Sequence, residues 1–364
     1  MKPARKWQIL KWLGIAVCAV VVLVAGISTR SMSIAKRGIV IGVGIDRTDE
    51  GYRVCAQMMQ PGQDSAPTSP VQYEVVVGEG PTVYAAMADI MRKTSMYPSY
   101  VHCKVLFLGY DMLDEALDDV MIGLMRRNEL GNVQVVAVEG TAYHAITATV
   151  AILPTSSAFI ERDNLLVSKS GGRRLVSLKD YCQRIDGHSG NKFLPLAVEV
   201  EAEPPTGGDA PKDGSPVLYD MMNTLAFDVH NRPHAYGNAV TEGVGLIEAK
   251  GGQYTAYRED GRYVTVRIRN TRIRRRYHGN TVEGVYRYEV SVLEQTLSED
   301  EPKAAAVEEL VARCMDRTMQ TTYETCLRDE VDIYSVAGHL YKRFGREVSQ
   351  SDMRWQHTVE VKCK

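Results

Sequence analysis

The chain has 364 residues, of which 45% are hydrophobic and 24% are charged, and its formal net charge is −2. This length allows two or three domains, each able to bury its own core, and the ordinary composition argues against a largely disordered chain. The nearly balanced charge excludes a global basic field of the kind that holds nucleic acid.

Residues 1–30 form a signal or anchor segment. The basic residues at its start are Lys2, Arg5, Lys6 and Lys11, and an uncharged, almost wholly apolar run over residues 12–27 follows them. Basic residues before such a run keep the N-terminus inside and direct the following chain outward. The run suits a retained membrane anchor or the core of a cleavable signal peptide. Both alternatives place the chain from Ser31 onward outside the membrane.

Residues 31–203 predict an N-terminal half in which strands and helices alternate. An aliphatic run, residues 38–45, a polar turn ending at Gly51 and a second run, residues 52–59, predict a β-hairpin. Further strands are predicted at residues 71–77, 103–109 and 132–138. Helices are predicted at residues 82–93, in the segment that follows an N-capping Asp111, and in the segment that begins at Thr141. This alternation predicts an α/β layer. The polar residues 168–190 leave a division into two lobes open.

Residues 204–216 are rich in proline and glycine and predict a linker or a long exposed loop. Beyond them, residues 217–364 predict a C-terminal domain with a mostly antiparallel sheet and packed helices. Its strands are predicted at residues 225–229, 235–240, 243–248, 263–268, 285–293 and 358–362, and its helices at residues 307–326 and 333–344. The predicted fold class is therefore α+β, a multi-lobed ectodomain behind an N-terminal membrane-anchor helix.

Two glycines in the first strand, Gly42 and Gly44, invite comparison with a dinucleotide-binding loop. Arg47 stands where the third glycine is required, and a hairpin follows in place of a phosphate-binding helix. We therefore interpret the two glycines as positions where a neighbouring element packs closely on the strand.

Histidines give no catalytic or metal site. His230 and His234 have the spacing of metal ligands, but Pro233 breaks the helix that would align them, so a turn between strands is predicted. His188 lies in a glycine-rich stretch, and the chain has no nucleophile-elbow motif. We predict no catalytic, cofactor-binding or metal-binding residue, no cofactor and no enzymatic activity.

Six arginines form a local basic cluster, namely Arg267, Arg269, Arg272, Arg274, Arg275 and Arg276. Such a cluster can meet lipid headgroups, an acidic partner or an anionic polymer. The alternation of arginines with Val264, Val266 and Ile268 favours one solvated face of a strand. The seven cysteines contain no CxxC pair, which argues against a zinc ribbon, and whether any of them form disulfides stays open.

Several stretches together resemble the Ger(x)C family, which supplies the C subunits of spore germinant receptors. They are residues 37–47, Gly51 and Tyr52, residues 80–92 with Thr82 and Ala86, residues 102–109, 135–142, 225–227, 243–246 and 332–344, Trp355, and residues 359–361. Family members usually carry a lipoprotein signal that ends in Gly-Cys-Trp. Here the matching stretch is Gly26-Ile27-Ser28, and Cys18 lacks a lipobox, so we predict no lipidation.

The resemblance implies a non-enzymatic C-type subunit of a nutrient germinant receptor, which acts in assembly and signalling for spore germination. It implies a position on the outer face of the inner spore membrane, with A-type and B-type polytopic subunits as partners. Whether the chain contacts the nutrient stays open. One alternative is a membrane-tethered extracytoplasmic solute-binding module, which needs an apolar pocket between lobes. Another is an extracytoplasmic hydrolase that acts through His188 or His234.

Overall fold

The computed structural model describes residues 12–20, 37–59, 73–113, 116–126, 130, 132–150, 153, 155–170, 175–185, 192–201, 217–248, 251–297, 303–345 and 352–364. Residues 12–20, in the predicted anchor, form a short exposed helix. Within the described ranges, no helix has both the length and the apolarity to cross a membrane. The rest of the predicted anchor, the predicted linker at residues 204–216 and His188 lie outside the described residues.

The described part of the chain contains a mixed sheet of nine strands. They are β1 (Arg37–Thr48), β2 (Gly51–Met59), β3 (Tyr73–Gly80), β4 (Tyr97–Ser99), β5 (Val105–Leu108), β6 (Gln134–Val138), β7 (Lys192–Glu201), β8 (Val217–Phe227) and β9 (Pro233–Tyr236). Their order is β3-β2-β1-β5-β6-β7-β8-β9, and β4 pairs with the start of β1. The central strands β1, β5, β6 and β7 are parallel, and antiparallel strands extend the sheet on both sides.

Five helices cover the two faces of this first sheet. They are α1 (Val83–Thr94), α2 (Leu117–Met125), α3 (Ala142–Thr147), α4 (Ser156–Ser170) and α5 (Leu178–Ile185). Helices α1, α2 and α5 bury their apolar side chains on one face, and α3 and α4 bury theirs on the other. The predicted α/β layer is therefore present.

Two of the predicted helix starts are confirmed by capping bonds. Thr82 accepts a hydrogen bond from the Ala85 N–H at 3.1 Å, and Thr141 accepts one from the His144 N–H at 3.2 Å. The predicted cap at Asp111 is wrong. Asp111 lies inside a 3-10 turn, Tyr110–Met112, because the Met112 N–H bonds back to the carbonyl of Gly109.

A second sheet has four strands within the described residues: β10 (Gly252–Tyr257), β11 (Tyr263–His278), β12 (Thr281–Gln295) and β13 (Arg354–Cys363). The first three form an antiparallel meander, and β13 lies parallel to β12. Helices α6 (Asn238–Ile247), α7 (Lys303–Arg328) and α8 (Val336–Phe344) pack on one face. Phe193 and Ala226 of the first sheet join the same core, so a continuous apolar cluster connects the two sheets.

Three segments beyond the predicted linker differ from expectation. Residues 225–229 and 235–240 were expected as strands of the C-terminal sheet, but β8 and β9 extend the first sheet through β7, and residues 238–240 lie in α6. Residues 243–248 were expected as a strand, but residues 243–247 lie in α6. Every residue from Gly243 to Ile247 is buried, and a short, fully buried apolar run does not distinguish a strand from a helix.

Candidate functional site

Gly42 and Gly44 of β1 lie beneath helix starts. Gly42 contacts Ser157 at the start of α4, and a Cβ atom on Gly44 would lie 3.1 Å from the Cβ of Ala142. Real Cβ atoms rarely approach so closely in packed interiors, so a larger side chain would push α3 away. The predicted close packing is confirmed.

Asp46 near the end of β1 is a buried carboxylate that fixes α3. Its Oδ1 accepts from the Ala142 N–H at 2.6 Å and its Oδ2 from the Tyr143 N–H at 2.9 Å. Burial raises the pKa of Asp46, although these two hydrogen bonds oppose the change. Gly109 lies against the same carboxylate and leaves no room for a Cβ atom. Asp46 therefore joins β1, the loop after β5 and the start of α3.

A second buried polar cluster joins β7 to the helices beside it. Lys192 is 5% exposed, and its Nζ lies 2.7 Å from Oδ2 of Asp118 in α2. The Tyr181 hydroxyl of α5 donates to the other oxygen of Asp118 at 2.9 Å. Lys192 also bonds to Asn231 in the turn between β8 and β9. Asp118 has the local sequence pattern of a solvated acid in the first turn of a helix, but here it balances the charge of a buried lysine.

The turn between β8 and β9 confirms the interpretation of His230 and His234. Asp228 accepts from the backbone N–H of His230 at 2.8 Å and from Arg232 Nε at 2.6 Å, and its Oδ2 lies 3.2 Å from His234 Nε2. Burial favours a raised pKa for Asp228, but hydrogen bonds from Arg232 and His234 hold it below its ordinary value. Within the described ranges, no three His, Cys, Asp or Glu side chains are placed to hold a metal ion.

Polar contacts also connect the first sheet to the helices of the second. Arg232 Nη2 lies 3.3 Å from Glu330 just after α7, and the Tyr236 hydroxyl donates to Asp329 at 3.0 Å. Arg184 of α5 pairs with Glu248 after α6 at 3.0 Å. These contacts link the two sheets near the ends of α6 and α7.

An aromatic cluster fills the core beneath the second sheet. Trp355 of β13 stacks on Tyr334, with ring centroids 3.6 Å apart, and its Nε1 donates to His357 Nδ1 at 3.0 Å. The guanidinium of Arg275 lies 5.8 Å from the Tyr334 ring and 5.9 Å from the Trp355 ring. Asp332, which caps α8, accepts from the Val336 N–H at 2.9 Å.

Arg275 is an exception to the predicted solvated face. A bulge between Ile268 and Asn270 shifts the alternation of β11, so Arg275 turns inward while the other five arginines of the cluster stay exposed. The prediction is therefore confirmed for five arginines and wrong for Arg275.

The seven cysteines are free thiols. Burial raises the pKa of Cys55, Cys103 and Cys326 to about 12. Reactive cysteines need thiolate character and exposure, so these three behave as small apolar side chains of the core.

Among the described residues, two clefts large enough for a small molecule stand out. One, of about 430 Å³, lies at the edge of the first sheet, between β2, β3 and the end of α1. The other, of about 330 Å³, lies on the second sheet and is lined mainly by charged side chains, including the ion pair of Arg287 and Glu360 at 2.6 Å. Neither cleft contains one of the histidines considered above.

Residues 30–198 match the family model described as the spore germination protein N-terminal domain. This match places the N-terminal part of the chain, residues 30–198, among the Ger(x)C spore germination proteins. The fold of the chain is similar to a solved structure described as the "Crystal Structure of the GerBC protein", with a TM-score of 0.51, 14% identity, and coverage of 88% of this chain and 96% of that chain. At this identity the likeness shows a shared fold. A comparison with curated proteins gives no match.

The spore germination domain at residues 30–198 supports a role in spore germination. The stretches that carried the resemblance contain the contacts that hold this Ger(x)C protein together. Asp46 fixes α3, Thr82 caps α1, Asp332 caps α8 and Trp355 fills the second core. The sequence analysis found these motifs but missed the roles of Asp46 and Asp332. The available signal for both roles was an isolated acidic residue beside an apolar run.

Proposed function

We propose that the chain is the non-enzymatic C-type subunit of a nutrient germinant receptor and acts in assembly and signalling at the inner spore membrane. The observation that carries the proposal is the family match over residues 30–198. The GerBC-like fold, which covers 88% of the chain, supports it.

The buried polar residues support a role that depends on protein surfaces. Asp46 and Asp332 bond to helix N–H groups, and Asp118 is paired with Lys192. These groups are engaged in holding the fold, and we assign none of them to chemistry. The partners are A-type and B-type polytopic subunits. Residues 1–30 act as the anchor that keeps the folded part at the outer face of the membrane.

Deletion of the gene is expected to abolish the germination response of spores to one nutrient or nutrient mixture. A wild-type copy supplied in the deletion strain should restore that response, and the responses to unrelated nutrients should be unchanged. Germination can be followed by the loss of optical density after each nutrient is added. Deletion spores that respond like the parent to every nutrient that triggers the parent would contradict the proposed function.

The alternative function, a tethered solute-binding module, rests on the cleft of about 430 Å³ at the edge of the first sheet. Its lining combines apolar side chains such as Met58 and Met96 with Glu74 and Lys93, a mixture that suits a small polar nutrient. A ligand present at 100 times its Kd would stabilise the protein by about 2.7 kcal/mol. A rise in the melting temperature of the purified chain with a germinating nutrient would favour this alternative.

A further inference from the structure

The outer face of the second sheet carries a row of exposed arginines on β11, opposite the face that α7 and α8 cover. We define the arginine stripe as Arg267, Arg269, Arg272, Arg274 and Arg276, all of which are exposed. The bulge between Ile268 and Asn270 keeps all five on the same side, because it moves the alternation by one residue at that point. At about 3.4 Å per residue, the stripe extends over roughly 30 Å.

The charges of the stripe are balanced only in part by the described residues: Glu283 is the cross-strand partner of Arg276, and Arg272 lines a cleft with Glu289 and Glu360. Among the described residues, no ion pair involves Arg267, Arg272, Arg274 or Arg276, and Arg269 bonds only to the Ser291 hydroxyl, at 3.0 Å.

On β12, the cross-strand neighbours of the other arginines carry no negative charge. Arg272 lies directly opposite Arg287, and Arg274 lies opposite Val285. Arg287 is itself paired with Glu360 at 2.6 Å, so this pair does not offset the charge of Arg272. The face of the sheet that carries the stripe therefore keeps an excess of positive charge, which suits an anionic partner outside the chain.

The stripe is placed to meet a broad surface. Strand β10 pairs only with residues 263–268 of β11, so the part of β11 that carries Arg272, Arg274 and Arg276 forms an edge of the sheet within the described residues. An extended row of guanidinium groups at a sheet edge suits phosphate groups spread over a surface.

Apolar side chains flank one end of the stripe. Tyr257 is 67% exposed and Leu293 is 43% exposed. Tyr257 pairs with Tyr263, and Leu293 precedes Glu294, the cross-strand partner of Thr265. Basic residues beside exposed aromatic and aliphatic side chains are typical of proteins that lie on a membrane, where the apolar side chains enter the headgroup region. An acidic protein segment would match the positive charge of the arginine stripe, but it would not explain why exposed Tyr257 and Leu293 flank the stripe.

We propose that the arginine stripe binds the phosphate headgroups of an anionic membrane surface and lays the outer face of the second sheet along that membrane. The inference rests on the membrane placement within the proposed function, and it does not depend on the identity of the partner subunits.

The test is arginine footprinting of the purified full chain on lipid nanodiscs. Discs of phosphatidylcholine alone are compared with discs that also contain phosphatidylglycerol, and phenylglyoxal labelling of each arginine is measured by mass spectrometry. We expect labelling of the stripe to fall several-fold on the anionic discs and to recover at about 1 M salt, where the Debye length is about 3 Å. Labelling of Arg126 and Arg162, which are exposed on the first sheet's helices, should be equal on both discs.

Two triple variants make the test specific to the stripe. In Arg272→Gln/Arg274→Gln/Arg276→Gln, the protection of Arg267 and Arg269 by anionic lipid should be lost. It should persist in the charge-matched control Arg126→Gln/Arg162→Gln/Lys179→Gln. Equal labelling of the wild-type stripe on both discs would overturn the proposal, and so would protection by polyglutamate without protection by anionic lipid. Neither result depends on the germination phenotype of a deletion strain. The membrane-binding proposal can therefore be contradicted while the proposed receptor function stands, and the reverse also holds.

Discussion

Replacement of Trp355 with alanine is expected to lower the free energy of unfolding by about 3–5 kcal/mol, the range for a large buried aromatic side chain. The Trp355 ring stacks on Tyr334 at 3.6 Å and lies 6.2 Å from the ring of Tyr286. Its removal also ends the hydrogen bond to His357 and leaves a cavity beside Arg275. The loss therefore combines apolar burial, ring stacking and the contact with a partly buried cation.

Urea unfolding followed by circular dichroism measures this effect, because the substitution removes the main buried fluorophore. The matched control is Tyr257→Ala, which truncates an aromatic side chain that is 67% exposed. The control should change stability by no more than about 0.5 kcal/mol. Equal unfolding midpoints for the two variants would show that Trp355 does not hold the second core together.

The second large effect is expected for Lys192→Met. The substitution leaves Asp118 with the Tyr181 hydroxyl as its remaining described side-chain partner, and breaking a buried ion pair in this way costs about 3–5 kcal/mol. The Asp118 side chain is 21% exposed, so we expect the lower end of that range. The double variant Lys192→Met/Asp118→Asn should be less destabilised than the sum of the single variants, because it removes the unpaired charge.

An exposed ion pair supplies the control for Lys192. Lys104 lies 3.4 Å from Glu161, and the two side chains are 55% and 33% exposed. Lys104→Met should therefore cost no more than about 1 kcal/mol. If Lys192→Met were no more destabilising than Lys104→Met in the same urea titration, the buried cluster would not be a structural link between β7 and the helices.

The parts of the fold that depend on local sequence were predictable. The hairpin of β1 and β2 follows from two apolar runs around a polar turn, and α1 and α3 begin at the expected threonines. Strands β8 and β9 were assigned to the wrong sheet, since pairing across the predicted linker leaves no local signal. The inward turn of Arg275 depends on a bulge, and simple alternation does not reveal a bulge.

The buried polar contacts were not predictable for a related reason. Asp46 bonds to an N–H group 96 residues away, and Lys192 pairs with an acid 74 residues away. Asp118 has the local pattern of a solvated helix acid, and only the packing of β7 against α2 changes that environment. The same sequence did identify the family, because the order and spacing of many short motifs carry more information than any one of them.

Partner capture tests the proposed function most directly. Spores that carry a tagged copy are cross-linked, the inner membrane is extracted in mild detergent, and the captured proteins are identified and quantified by mass spectrometry. We predict two polytopic germinant-receptor subunits, of the A and B types, in amounts comparable to the tagged chain. Recovery of the tagged chain alone in the membrane fraction would contradict its assignment as a receptor subunit, and recovery in the soluble fraction would contradict its membrane attachment.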